Sequence, residues 1–189
     1  MQELTNNFNQ KNLDVKEKVL VFDIETQRGF NEISTISEMG IAVAVSCDCK
    51  NCEYKYYTEE NSQELIEDIF NADIVVGYNC ISFDYTVLQG YTDRDFSSVK
   101  TVDMMRIVQR SLGFRPKLDN LLEATFGEKK TADGLQSLRW YKQGKMDLIK
   151  EYCYHDVRLT TALYEFGRDN GFVWARNKSG LKVQVQVKW

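Results

Sequence analysis

The stretch Val19–Thr26 (VLVFDIET) constrains this chain more than any other. An apolar run of this length reads as a central β-strand covered on both faces. This one carries Asp23 and Glu25. Side chains two apart on a strand share a face, so both carboxylates point the same way. Ionised carboxylates are costly to bury, and adjacent ones repel. Two arrangements resolve the conflict. Either the strand frays at Asp23 and both acids reach water, or a divalent cation sits between them.

The rest of the chain supplies a sheet for that strand to join. Ile41–Ser46 and Glu53–Thr58 flank CDCKNC and read as a hairpin beside it. Asn61–Asn71 reads as a helix, with a capping box from Asn61 to Glu64. Ile74–Tyr78 is a second short buried strand, running into a helix from Ser82 to Leu88, and Lys100–Asp103 is a further strand. Helical patterns then cover Met104–Leu112, Leu118–Phe126, Ala132–Lys142 and Met146–Phe166. Leu181–Trp189 alternates strictly, the mark of a half-buried strand or half of a terminal hairpin. The succession predicts a mixed α/β fold. Residues 1–17 form a polar lead-in, and 18–189 one domain that includes the C-terminal strand 181–189.

Composition narrows the function classes. The 189 residues are 43% hydrophobic and 28% charged, the balance of a globular chain with a core. No apolar run reaches the roughly 18–20 residues of a membrane span. Five cysteines do not make a disulfide framework at this length, which predicts a reducing cytoplasm. The net charge of −4 hides an asymmetry: residues 1–99 carry 7 Lys/Arg against 18 Asp/Glu, residues 100–189 carry 17 against 10. A polyanionic partner beside an acidic cluster, such as nucleic acid with metal-binding carboxylates, produces such a division.

Two more acids stand where apolar residues belong. Ile149, Tyr152, Asp156, Leu159 and Leu163 follow the spacing of one buried helix face. Asp156 is thus an intruder in the core, unless the helix is rotated or an arginine pairs with it. Asp84 falls in the first turn of the helix after Ile74–Tyr78. The helix macrodipole alone would favour an acid there. With Asp23, Glu25 and Asp156, it supplies the missing side of a carboxylate cage.

VFDIET, GYNCISFD and YCYHD, in this order and at these separations, resemble the three motifs of the DEDD superfamily of 3′–5′ exonucleases. The resemblance covers about residues 18–167. It implies a ribonuclease H-like fold, a mixed central sheet with helices on both faces. Asp23 and Glu25 match its first motif, Asp84 its second and Asp156 its third. Its histidine branch has a His five residues before the last acid, where this chain has Glu151. Its tyrosine branch has a Tyr four residues before, and here that is Tyr152. The sequence is therefore similar to the tyrosine branch, which includes proofreading domains of DNA polymerases and small stand-alone or helicase-associated relatives.

The four acids offer only oxygen, which suits Mg²⁺ or Mn²⁺ rather than zinc. Four carboxylates suffice for two ions in a two-metal phosphodiester cleavage. Tyr152 lies one helical turn from Asp156 on the same face and is placed to orient the attacking water. By resemblance, Asn79 contacts the terminal nucleotide; otherwise it is a turn residue. Phe83 packs on a base or in the core. Lys129, Lys130, Arg139, Lys142 and Lys145 give the third motif a basic approach, or are solvated helix ends. Asp103 caps the helix that follows it. Nothing marks His155 as a nucleophile's base. Cys47, Cys49 and Cys52 are one ligand short of a zinc site and have no nearby histidine.

The expected activity is metal-dependent 3′–5′ exonuclease action on DNA or RNA at a single-stranded 3′ end, releasing nucleoside 5′-monophosphates, with a helicase or polymerase as partner. The alternatives are an inactive nucleic-acid-binding module and a structure-specific endonuclease on the same fold.

Overall fold

The computed structural model describes residues 17–128 and 134–189. Of the sequence expectations, Lys129, Lys130, the first two residues of the helix expected over 132–142 and the lead-in up to residue 16 lie outside these. Strands β1 (Val19–Thr26), β2 (Ile41–Asp48), β3 (Glu53–Tyr57), β4 (Ile74–Gly77) and β5 (Thr101–Asp103) form one sheet in the order β3-β2-β1-β4-β5. β2 runs antiparallel to β1 and β3, whereas β4 runs parallel to β1 and β5. This is a mixed sheet with β1 at its centre, in a ribonuclease H-like fold.

Strand alternation splits the core into two layers. From β1, Leu20, Phe22 and Ile24 pack with Leu65, Ile66 and Ile69 of α1 (Ser62–Phe70) and Val87 and Leu88 of α2 (Asp84–Leu88). Val19 and Val21 face the other way. They pack with Val108 of α3 (Met104–Leu112), Leu121 and Leu122 of α4 (Leu118–Phe126) and Ile149, Val157 and Leu163 of α6 (Met146–Asn170). α5 (Gly134–Lys142) packs on α6 and on β1. Helices therefore cover both faces.

Two local expectations need correction. Asn61 does not cap α1: its Oδ1 accepts from the amide and hydroxyl of Thr58 instead, closing the 3₁₀ turn Glu59–Asn61. The nearer amide takes the oxygen. The last helix also runs beyond Phe166 to Asn170, ending at Gly171 in a left-handed conformation with φ of 76°. That turn feeds β6 (Phe172–Arg176), which pairs antiparallel with β7 (Lys182–Gln186) in a separate two-stranded ribbon. β7 is the core of the alternating segment 181–189.

Trp189 follows the ribbon and lies on α6, its Nε1 donating to the Tyr164 carbonyl at 2.8 Å. Gly167 makes this possible, because a Cβ there would stand 2.1 Å from Trp189 Cζ2. Gly167→Ala is expected to expel the indole and destabilise the fold by about 1–3 kcal/mol, read as a lower urea midpoint with an unchanged m-value. An unchanged midpoint would mean the indole contributes nothing.

Candidate metal centre

β4 stops at Gly77 while β1 continues to Thr26, and the last residue pair between them is Val21–Val76. Beyond it, the edge of β1 that faced β4 is open, and its amides need other acceptors. Asp84, the first residue of α2, answers: its Oδ1 accepts from Ile24 N at 3.1 Å. Asp84 is only 3% exposed. Burial, and next the charge on Asp23, push its pKa well above the usual carboxylate range.

Asp23 and Glu25 continue the row of Val19 and Val21, on the α6 side of the sheet. Opposite them α6 buries Ile149, Tyr152, Cys153 and Asp156. The Cys153 thiol donates to the Asp23 carbonyl at 3.5 Å, setting the height of the helix against the strand. Carboxylate oxygens of Asp23, Glu25 and Asp156 all lie within 4.8 Å of one another. Glu25 and Asp156 are buried and Asp23 half-buried. Among the described residues, no other group of three or more histidine, cysteine or acidic side chains gathers this closely. Two buried carboxyls and a half-buried one at such a separation, with Asp84 close enough for Asp23 to raise its pKa, are poorly accommodated without positive charge. Their all-oxygen chemistry fits a hard divalent cation.

Tyr152 hydrogen-bonds to Asp156, and its ring meets Trp140 edge-on at 6.2 Å. Burial and the charges on Asp156, Glu25 and Asp23 push its phenol further up, so it stays protonated at neutral pH. It acts as a hydrogen-bond donor and not as a base.

Asn79 has a left-handed backbone, with φ of 68°. Its amide donates to Asp103 Oδ1 at 3.0 Å, and its Oδ1 accepts from Arg115 Nη2 at 2.5 Å. Asp103 is more than the helix cap expected. Besides accepting from Arg106 N at the start of α3, it accepts from Ile81 N at 3.2 Å, so one buried carboxylate holds the loop that leads to Asp84. Asn79, Arg115, Lys117 and Tyr152 share a cleft of about 420 Å³. Phe83 is half-buried against the α1–α2 layer, its ring 6.1 Å from that of Phe30. Arg106 reaches the same loop, donating to Ser82 Oγ at 2.7 Å.

Other candidates stand apart. Lys142 pairs with Glu32 at 2.9 Å, and Arg139 donates to Gln136 on its own helix. His155 packs on Tyr154 and does not belong to the acidic cluster. Cys47, Cys49 and Cys52 do not gather as a metal site. Burial pushes the Cys47 thiol up to about 11 and raises Cys49 as well, so both stay protonated at neutral pH. Sequence reasoning missed Arg115 and Arg106. Both are exposed cations 24 or more residues from the atoms they hold, a separation that leaves no local signal.

A sequence model of the RNase_H superfamily matches residues 20–166. No curated protein matches the sequence. Among solved structures, the chain is similar to the family B DNA polymerase from the hyperthermophilic archaeon Pyrobaculum calidifontis, with a TM-score of 0.64 and 18% sequence identity. The match covers 80% of this chain and 24% of the polymerase, and at that identity it bears on the fold alone.

Proposed function

This chain belongs to the RNase_H superfamily, and from that membership we propose that it hydrolyses nucleic acid from the 3′ end as a tyrosine-branch DEDD exonuclease, releasing nucleoside 5′-monophosphates. The observation that carries the reading is the convergence of Asp23, Glu25 and Asp156 within 4.8 Å, from a central strand and a helix some 130 residues downstream. Asp84 would complete the set from the first turn of α2.

These four carboxylates would hold two Mg²⁺ or Mn²⁺ ions. Bound there, the ions would lower the pKa of a water and offset charge on the phosphoryl oxygens. The protein's own groups do the remainder. Asp84, fixed by the Ile24 amide, keeps its carboxyl at one height on the sheet. Tyr152, protonated and donating to Asp156, keeps its phenol oxygen as an acceptor for the attacking water and would help hold it in line. Asn79, clamped by Asp103 and Arg115, faces the cleft that would take the terminal nucleotide. Phe83, beside the exposed Phe30, would pack against its base. Such a site needs an unpaired 3′ end of DNA or RNA, which a helicase or polymerase partner would supply.

A single strand labelled at its 3′ end should lose labelled mononucleotide in Mg²⁺ or Mn²⁺ and none in EDTA, while a closed single-stranded circle stays intact. Cutting of the circle would identify an endonuclease instead. Binding with neither reaction would identify a non-hydrolytic module.

A further inference from the structure

Beyond the superfamily-matched residues 20–166, the chain adds the β6–β7 ribbon. We propose that the outer face of this ribbon is a binding track for single-stranded nucleic acid, leading the strand into the cleft at the metal centre. The destination of the track rests on the function proposed above; the binding surface stands on its own observations.

Alternation buries Val173, Ala175 and Val185 against the core and turns Phe172, Trp174 and Arg176, with Lys182, Gln184 and Gln186, outward. Trp174 lies opposite Gln184 in the register, with Lys182 Nζ 4.9 Å from its ring centroid and the Phe172 ring 5.8 Å away. Residues 170–189 hold four Lys/Arg and no Asp or Glu. Glu123 of α4 pairs with Arg176 at 3.6 Å, which leaves the exposed Lys178, Lys182 and Lys188 as the ribbon's main source of positive charge. Half-buried flat rings interleaved with cations and amides are the surface on which bases stack and phosphates are neutralised without sequence preference.

The ribbon is also joined to the site. Lys178, in its turn, stands 5.9 Å from the Phe114 ring. Phe114 precedes Arg115, which holds Asn79 at 2.5 Å and lines the same cleft as Lys117 and Tyr152. Cations thus run from the ribbon turn to the edge of the carboxylate cluster. This gives the basic second half of the sequence a use as a path toward the acids of the first half.

The test uses the whole protein in EDTA, so that binding is read without hydrolysis. Fluorescence anisotropy compares wild type with the double variant Lys178→Glu/Lys182→Glu on labelled oligothymidylates of ~4 and ~20 nucleotides. Both substitutions are on exposed side chains, and equal melting temperatures confirm the fold. For the long strand, the variant should lose at least tenfold in affinity. The slope of log affinity against log salt should fall by about 1.4, from two lost phosphate contacts. Affinity for the short strand should not change. Unchanged long-strand affinity would overturn the track, as would an equal loss at both lengths. A labelled poly-glutamate peptide binding as tightly as the long strand would overturn it in favour of an acidic protein partner. Failure of mononucleotide release in the separate assay would sink the exonuclease reading and leave this result unaffected.

Discussion

Asp156→Asn should reduce mononucleotide release by a thousandfold or more, while the metal-free protein becomes more stable rather than less. The substitution keeps the shape of the side chain and an oxygen for the Tyr152 hydrogen bond, so the helix has no reason to move. It removes one of three negative charges whose oxygens lie within 4.8 Å. A lost ligand at a two-ion site weakens both placement of the nucleophile and stabilisation of the developing charge. A thousandfold corresponds to ~4 kcal/mol of barrier, within what such ions supply. The same missing charge relieves repulsion in a site that is 4% exposed at Asp156. Loss of activity together with a higher melting temperature in EDTA separates this account from simple misfolding. A variant retaining more than a tenth of wild-type release would remove Asp156 from the reaction.

The second large effect is that of the cation on stability, and its sign with pH follows from Asp84. The folded protein holds this carboxyl well above its ordinary range, whereas the unfolded chain titrates it at about 3.9. Between those two values the folded state binds more protons. Stability of the metal-free protein therefore falls as pH rises through that window. A divalent ion held by these carboxylates would reverse the penalty by favouring the charged form. At a hundredfold excess over its dissociation constant, Mn²⁺ should stabilise the protein by about 2.7 kcal/mol, or ~5–10 °C in melting temperature. The shift should grow as pH rises through the same window and shrink sharply in Asp156→Asn. A melting temperature indifferent to Mn²⁺ at every pH would mean the carboxylates hold no ion.

Much of the architecture is legible in the sequence because it rests on local pattern. β1 is bounded by its own apolar run, and α3 and α4 span the residues their periodicity marks, Met104–Leu112 and Leu118–Phe126. What escapes local pattern is competition between partners. Asn61 has the composition of a helix cap, but the Thr58 amide reaches its oxygen first. β6 is short and follows a helix without a linker, so FVWAR does not stand out until its pairing with β7 is known. The acids are conspicuous because they violate the apolar pattern. The groups that hold the neighbouring loop are not, since Asp103 sits at an ordinary helix start and Arg115 in an ordinary loop, and they act on backbone amides 22 and 24 residues away and on the Asn79 side chain 36 residues away. In sequence, Asp84 looks like a dipole-stabilised first-turn acid. In three dimensions it serves a strand amide 60 residues upstream.

That last bond ties strand register to chemistry. Sliding β1 by a single residue against its neighbours would rotate Asp23 and Glu25 into the aliphatic layer of Leu65 and Leu88. It would also withdraw the Ile24 amide from Asp84. A single register error would thus take Asp23 and Glu25 out of the site and release Asp84 at once, so the alignment of β1 and the geometry of the carboxylates stand or fall together.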